Sequence, residues 1–244
     1  MNDDDRVPTS ELRTESRTVA LGAANNVRVN LEMKAGELKI AGGAPHLLDA
    51  NFTYNAPRWK PVVMYELSGE VANLEVKQPE SGRALSDTRY EWDLHLSPEV
   101  PIRMTVNMGA GRATMTLGGL SLSHLELNIR AGETALDLTG NWKSDLSGQI
   151  RGGVGRATIR LPRDVGARVM AQGSMGAINA GGFRRQGDAY VNDLYGKAPV
   201  TLNVEMEGGM GEINLQLGGE SPAAHSFSRV FRRPQGALLA VHPK

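Results

Sequence analysis

The sequence predicts an all-β protein built as a β-solenoid, in which the chain winds into coils that stack on one another. Three observations predict this fold. Glycine recurs at a regular spacing, small and aliphatic residues alternate with polar residues after each such glycine, and a second apolar strand recurs within each period. Regular spacing of this kind is typical of repeat architectures. An antiparallel sandwich with regular hairpins is the alternative that the pattern leaves open.

Six glycines mark the origins of the repeat. Two and four residues after each origin lie mostly small or aliphatic residues, and the residues between them are mostly polar, as in Gly111–Leu117 (GRATMTL). Strict alternation with a period of two predicts a strand with one buried face. The origins are Gly36, Gly111, Gly132, Gly155, Gly176 and Gly211.

The spacing of these origins predicts the length of one coil. Successive origins from Gly111 to Gly176 lie 21, 23 and 21 residues apart. The next interval, to Gly211, is 35 residues, which we interpret as one period plus an insertion around Phe183–Lys197. One strand pair per period with a glycine at a corner fits a solenoid coil, because glycine adopts corner conformations that other residues resist.

The first hundred residues lose this period but keep the alternation of strands. Val27–Leu31, Leu47–Asn55 and Val62–Leu67 alternate, prolines interrupt them, and most of the aromatic residues lie here. We expect longer strands or hairpins that elaborate the first coils and cover one open end of the stack. Without such a cover, the end of a solenoid exposes unpaired strand edges.

The chain therefore divides into four predicted parts. Residues 1–24 are polar and begin with a run of aspartates, so we expect a flexible leader. Residues 25–105 form the irregular N-terminal region, and residues 106–218 form the repeats. Residues 219–244 contain no glycine copy, and the sequence leaves open whether this tail is loose, forms a short helix or serves for attachment.

Composition excludes several classes of function. Lys plus Arg and Asp plus Glu each number 27, so the formal net charge is zero and nucleic acid is not an expected partner. The chain has no cysteine, which excludes disulfides, zinc–thiolate sites, iron–sulfur clusters and cysteine nucleophiles. No apolar run approaches the ~20 residues that a membrane-spanning helix needs.

The motifs of common catalytic and metal sites are incomplete. The calcium-binding nonapeptide requires an aspartate where this chain has Ala157 and Ile213. The glycine-rich segments lack the spacing of phosphate loops, and the histidines form no zinc-binding motif. Four outward carboxylates could in principle supply an acid–base pair, but a solvated charged face explains them better: Glu126, Glu133, Asp137 and Asp145. We expect no catalytic residue, no metal, no cofactor and no enzymatic activity.

Surface contact is the function that the remaining features favour. Trp59 and the pair Tyr90 and Trp92 are the best candidates for exposed aromatic contacts, although core packing at the covered end is the alternative. Arg184 and Arg185 are expected on a protruding loop that could touch an anionic surface, although an ordinary solvated loop is the better-supported alternative. Stacked coils also place outward residues in ladders, and two such ladders are predicted: Arg112, Glu133 and Arg156, and Thr114, Ala135 and Thr158.

Several segments resemble a known family. Leu31–Tyr65 (LEMKAGELKIAGGAPHLLDANFTYNAPRWKPVVMY) resembles the N-terminal part of the toast-rack proteins. Tyr90–Leu120 resembles the junction to their repeat region. Val106–Leu217, with its GAG, RAGE, GGVG and GGMG motifs, resembles the LiaF-like C-terminal domain. The tail from Glu220 has no counterpart.

The resemblance implies a single-stranded, right-handed β-helix in a bacterial protein that works outside the cytoplasm. Related domains occur in cell-envelope stress systems and in adhesin-like surface proteins, and the family supplies no catalytic residues. Because no export signal is visible, we expect a leader removed before residue 1, with Met1 standing in place of a lipidated cysteine. Membrane association is expected only through that leader or lipid anchor.

These arguments predict a non-enzymatic module that contacts a protein or glycan at the bacterial cell envelope. The alternative is a cell-envelope stress sensor that acts through a membrane partner. A third alternative is a carbohydrate-active enzyme, which would need two converging carboxylates in a groove.

Overall fold

The protein is all-β, as predicted. A computed structural model describes residues 11–79, 87–172, 176–208 and 211–218. In these ranges 15 strands form one sheet, and the one helical element is a 3₁₀ turn at Pro57–Trp59. The strands are β1 (Arg13–Val19), β2 (Asn26–Gly42), β3 (Leu48–Tyr54), β4 (Val62–Ser68), β5 (Val71–Lys77), β6 (Tyr90–Leu96), β7 (Ile102–Thr116), β8 (Leu122–Asp137), β9 (Leu146–Pro162), β10 (Gly166–Gln172), β11 (Ala177–Gly181), β12 (Arg184–Gln186), β13 (Ala189–Val191), β14 (Thr201–Gly208) and β15 (Glu212–Gly218).

Four long strands, β2, β7, β8 and β9, each contain a corner at one of the predicted glycines. In β7 the buried residues have even numbers up to Met108 and odd numbers from Ala113, so the inward face changes parity across Gly111. We call the two strand segments on either side of such a corner one coil. The corner lets both segments direct their apolar residues toward the same core.

The corner glycines stack directly on one another. Gly36 pairs with Gly111, Gly111 with Gly132, and Gly132 with Gly155 in parallel register, all at positive φ. A Cβ atom at Gly132 would lie 1.9 Å from the carbonyl oxygen of Gly111, so a side chain has no room there. The next coil keeps the same register, because Glu212 pairs with Arg156 and the Gly211 amide donates to the Gly155 carbonyl at 3.1 Å. These five predicted origins therefore lie at equivalent positions of the stack.

The parallel register excludes the sandwich alternative for the repeats. β2, β7, β8 and β9 pair side by side in parallel rather than through hairpins. Inward residues therefore form columns along the stack. One column is buried throughout and consists of Leu74, Val29, Met104, Leu125, Gly148, Val204 and Val169. Each large aliphatic side chain buried in this way contributes about 1.5–3 kcal/mol to folding.

The order of coils departs from the order of the chain at both ends. β14 and β15 pair with the two segments of β9, and β10 and β11 pair in turn with β14 and β15. The coil that contains Gly211 therefore lies next to β9, and the coil that contains Gly176 lies beyond it. Winding in the order of the chain predicts the reverse. The connection between them contains the β12–β13 hairpin, within the insertion that the sequence predicted.

The N-terminal end shows the same inversion. β5 and β6 pair with the two segments of β2 on the side away from β7, so they form the outer coil although they follow β2 in sequence. Antiparallel strands extend this coil: β4 pairs with β5, β3 with β6, and β1 with β3. The region therefore contains the antiparallel pairs that the sequence led us to expect.

The predicted flexible leader is wrong for part of its length. Residues 13–19 form β1 and pair with β3 over seven positions, from Arg13 opposite Tyr54 to Val19 opposite Leu48. Polar side chains hold the pair, as in the 2.7 Å hydrogen bond that Ser16 Oγ donates to Asn51 Oδ1. Residues 1–10 and the predicted tail 219–244 lie outside the described residues.

Candidate contact surfaces

The aromatic residues predicted at the surface lie in the core. Trp59, Tyr90 and Trp92 are 3%, 3% and 1% exposed. The Tyr90 ring centroid lies 5.6 Å from that of Trp59 and 5.8 Å from that of Trp92, and the Tyr90 hydroxyl donates to the Trp59 carbonyl at 2.7 Å. Burial raises the pKa of Tyr90. The prediction of an exposed aromatic surface is therefore wrong, because alternate residues of β6 face inward against the neighbouring strands.

A polar contact closes the edge of this aromatic cluster. Tyr54 Oη donates to Glu15 Oε1 at 2.6 Å, and Lys60 Nζ lies 2.9 Å from Glu15 Oε2. The hydrogen bonds from Tyr54 and Lys60 hold the pKa of Glu15 below its ordinary value. Burial and the bond to Glu15 raise the pKa of Tyr54 to about 12. This triad ties β1 to the residues around the 3₁₀ turn, so it is structural.

Arg184 and Arg185 lie on an exposed hairpin. Both belong to β12, which pairs with β13 at the end of the sheet, and Arg185 Nε donates to the Gly187 carbonyl at 3.2 Å. A shallow groove of about 310 Å³ lies beside the hairpin and is lined in part by Arg168, Gln186 and Asp188. The guanidinium groups are available to an anion, but no ligand chemistry follows from them alone.

The predicted outward ladders stack in register, and the charges of the first are balanced once Glu212 of the next coil is included. Arg112 Nε donates to Glu133 Oε2 at 3.3 Å, and Arg156 Nη1 lies 3.8 Å from Glu133 Oε1. Arg156 Nε donates to Glu212 Oε2 at 2.8 Å, which lowers the pKa of Glu212 and raises that of Arg156. Opposite charges on neighbouring strands stabilise the pairing of coils. This ladder leaves little uncompensated charge for a ligand.

The outward carboxylates that could supply an acid–base pair are engaged in other contacts. Glu126 binds Arg151 at 2.8 Å, and Asp137 binds Arg160 at 2.8 Å. Asp145 accepts the Thr201 amide at 2.8 Å. Each of these carboxylates therefore has a neighbouring cation or backbone donor as its partner. In the described ranges, no three His, Cys, Asp or Glu side chains cluster closely enough to hold a metal ion.

An exposed apolar strand is the surface feature that the sequence did not identify. The described residues include six exposed large hydrophobic side chains, and four of them lie on β4: Val62, Met64, Tyr65 and Leu67, which are 36–41% exposed. β4 pairs with β5 along one edge, and no other described strand pairs with its second edge. Exposed apolar edge strands pair readily with further strands.

The sequence carried a signal for this surface. Val62, Val63 and Met64 are apolar without a break, and Tyr65 and Leu67 follow. A continuous apolar run is typical of a strand covered on both faces. The structure covers one face in part, through Val63 and through the hydrogen bond that Tyr65 Oη donates to the Leu21 carbonyl at 3.1 Å. The missing cover makes β4 the main candidate contact surface.

Two comparisons relate this chain to known proteins. The family described as the N-terminal domain of toast_rack, DUF2154, matches residues 8–160. A candidate cell adhesion protein from Clostridium sporogenes, solved by crystallography, is 31% identical; the match covers 85% of this chain and 100% of that chain, with a TM-score of 0.79. A candidate adhesin from Bacteroides fragilis is 7% identical over 88% of this chain and 97% of that chain, with a TM-score of 0.32, too low to support an argument. None of the curated proteins matches the chain.

Proposed function

Because this chain belongs to the toast-rack family, we propose that it is a non-enzymatic, adhesin-like module that contacts a protein or glycan at the bacterial cell envelope. The similarity to a candidate cell adhesion protein over that protein's whole length supports this function. The family relationship supplies the fold, and the contact surface has to come from this chain's own residues.

The exposed apolar strand β4 is the observation that carries the proposal. Met64 and Val62 point outward from an edge whose backbone groups are unpaired among the described strands. An extended segment of a partner protein can add to such an edge through main-chain hydrogen bonds, while its side chains cover the apolar residues. The partner is therefore expected to present a strand with alternating apolar residues.

The finer features of the fold belong to the same proposal. The coils form a single-stranded, right-handed β-helix, and the strands around β5 and β6 cap its N-terminal end. The buried side chains of Trp59 and Trp92 at that end support the capping role. Residues 106–218 form a LiaF-like domain, which the stacked glycine corners of that region support.

The location is proposed to be periplasmic or at the cell surface, through an export leader or a lipid anchor in the full-length protein. The likeness to a candidate adhesion protein supports a surface location. Among the described residues, no helix is both long and apolar enough to cross a membrane. Fractionation of cells that produce the protein from its complete gene tests the location, and recovery in the cytoplasm would overturn it.

The absence of enzymatic activity is also a proposal. It is supported by the partners of Glu126, Asp137 and Asp145, which use these carboxylates for structural contacts. Hydrolysis of any member of a polysaccharide panel by the purified protein would contradict it.

The contact function is tested with a double variant of β4. Val62→Lys combined with Met64→Lys places two charges on the exposed face without disturbing the core. We expect this variant to lose most of the binding of the purified protein to isolated cell envelopes, measured by co-sedimentation. Thr114→Lys combined with Thr116→Lys adds the same charge at the same spacing on β7 and should bind as the unaltered protein does.

Equal binding by both double variants would overturn the role of β4. Cross-linking of the bound fraction identifies the partner. Capture of a membrane-bound sensor kinase would favour the stress-sensor alternative over an adhesin-like role.

A further inference from the structure

A row of basic side chains runs along one outward face of the coils. Arg28 of β2, Arg103 of β7 and His124 of β8 are neighbours in parallel register. Side chains in register on adjacent parallel strands lie on the same face, about 4.8 Å apart. Both arginines are exposed.

The two arginines of this row differ from other outward arginines of the stack. Arg112, Arg151, Arg156 and Arg160 each bind at least one carboxylate. Within the described part of the chain, Arg28 and Arg103 have neither a hydrogen bond nor an ion pair. Like charges directly opposite each other on neighbouring strands are destabilising. The adjacency of Arg28 and Arg103 is therefore an unfavourable arrangement that a bound anion would relieve.

Among the residues that the structure describes, no neighbouring carboxylate binds Arg28 or Arg103. The neighbouring row contains Asn30 and Thr105 beside the two arginines, and it has carboxylates only at Glu75 and further along the stack at Glu126 and Glu205. Glu75 binds Lys77 at 3.4 Å, and Glu126 binds Arg151 at 2.8 Å.

The row also has defined ends. Beyond Arg28 it continues through Asn73 to Glu66 on the edge strand β4, so negative charge limits it on that side. Beyond His124 it continues through Ser147 and Asn203 to Arg168. Polar groups thus extend a short cationic track along the direction in which the coils stack.

We propose that this track, centred on Arg28 and Arg103, binds a linear acidic polysaccharide whose chain runs along the stacking direction. Guanidinium groups bind carboxylates through charge-assisted hydrogen bonds. The Asn30 amide and the Thr105 hydroxyl beside them offer donors and acceptors for sugar hydroxyls. The inference deepens the proposed contact function by naming a glycan class. The row shares an outward face with Val62 and Met64 of β4, but it occupies other register positions, with Glu66 as its β4 member.

The shape of the track favours a linear chain over a membrane. The cationic side chains form a row one residue wide, whereas a membrane surface engages broad basic patches through several lysines and arginines at once. A nucleic acid is disfavoured by the net charge of zero over the whole chain. A carboxylated glycan needs only the few charges that this row supplies.

Binding of polygalacturonate oligomers, measured by titration calorimetry at low ionic strength, tests the proposal. Fully methyl-esterified oligomers of the same length are the matched neutral probe. We expect the unaltered protein to bind the acidic form, to bind the ester at least about tenfold more weakly, and to lose affinity as salt is added.

Two double variants distinguish binding by the track from an effect of the protein's net charge. Arg28→Gln combined with Arg103→Gln should weaken binding about tenfold or more, because both charge-assisted contacts are lost. Arg112→Gln combined with Arg156→Gln removes the same charge from the neutralised ladder and should change affinity less than about twofold. Circular dichroism confirms that both variants are folded.

Failure of the unaltered protein to bind the acidic oligomer would overturn the proposal. Equal losses in the two variants would also overturn it, because the effect would then come from net charge. Binding to phosphatidylglycerol vesicles without binding to the oligomer would replace it with a membrane surface. The β4 variant keeps both arginines and adds two lysines on the same outward face, so it should bind the oligomer at least as tightly as the unaltered protein. Loss of envelope binding and loss of oligomer binding can therefore be told apart.

Discussion

The middle of the stack and its two ends follow different rules of winding. In the middle, β7, β8 and β9 lie side by side in the order in which the chain makes them. At each end, the order along the stack differs from the order in the chain. β5 and β6 follow β2 in the sequence but lie farther from the middle of the stack than β7's neighbour β2 does, and β10 and β11 precede β14 and β15 in the sequence but lie farther out than they do. The comparison shows that the glycine repeat sets the register between neighbouring coils. It does not set which coil is outermost at each end of the stack.

The largest expected effect is the loss of stability when a corner glycine in the middle of the stack is substituted. Gly132 has a φ of 129° and no room for a Cβ atom against the Gly111 backbone, so Gly132→Ala should destabilise the fold by about 4 kcal/mol or more. Urea unfolding measures the change in the free energy of unfolding.

Gly187 in the β12–β13 hairpin is the matched control. It also has a positive φ, of 61°, but a Cβ atom there would meet nothing within 4 Å. Gly187→Ala should cost about 1–2 kcal/mol, which is the intrinsic penalty of the left-handed region. Similar losses at both positions would show that the backbone conformation matters and that the close approach of the coils does not.

A buried asparagine should show how the C-terminal end holds its inverted order. Asn192 is 2% exposed; its Oδ1 accepts from the Ala167 amide at 3.0 Å and its Nδ2 donates to the Val165 carbonyl at 2.7 Å. Asn192→Ala leaves these backbone groups without partners and should cost about 2–3 kcal/mol.

The exposed Asn179 is the control for this change. Its side chain donates to Asn214 Oδ1 at 3.0 Å on the outward face of β11. Asn179→Ala should change the free energy of unfolding by less than about 0.5 kcal/mol. If both asparagines give small effects in urea unfolding, Asn192 does not hold the outer coil.

The smallest expected effect is a dependence of the stability of the N-terminal end on pH. Hydrogen bonds from Tyr54 and Lys60 lower the pKa of Glu15 in the folded protein, so the unfolded state binds its proton more tightly. The stabilisation is therefore present above the ordinary pKa of a glutamate and is lost as the pH falls through the lowered value.

Hydrogen exchange of the β1 amides across a range of about pH 3 to 7 measures this dependence. We expect the exchange protection of β1 to fall at the acid end of this range in the unaltered protein. The Glu15→Gln variant should show a flatter profile, because the amide that replaces the carboxylate has no proton to gain. A profile that is the same in both proteins would exclude Glu15 as the titrating group.

The sequence predicted local features of the fold well. The alternation after Gly111, Gly132 and Gly155 identifies strands with one buried face, because a period of two is visible within a few neighbouring residues. The corner conformation follows from glycine itself. Stacking in register follows from the near-constant period, since coils of similar length bring equivalent residues together.

The order of the outer coils could not be predicted, because the coils present equivalent apolar columns to their neighbours. Ile178 and Ile213 occupy matching positions in β11 and β15, so the repeat does not say which of them pairs with Ala157. The choice is made by contacts distant in sequence, such as those of Asn192. No local pattern encodes them.

The contact surfaces were predicted less well for a related reason. The alternation of Tyr90 and Trp92 shows that they share a face of β6, but it does not tell which face is buried. Burial is decided by β2, β3 and the 3₁₀ turn, which meet only in the folded protein. The charge row at Arg28 and Arg103 likewise depends on strands that lie about 75 residues apart.

The inverted winding has a consequence for how this protein can be shortened. In most repeat proteins, trimming units from a terminus leaves a smaller but intact array. Here β14 and β15, the last strands that the structure describes, are an internal layer, and their removal would take away the parallel partners that join the preceding coil to β9. The coil of β10 and β11 therefore reaches its native parallel partners only after β14 and β15 have been synthesised, although its own residues leave the ribosome first.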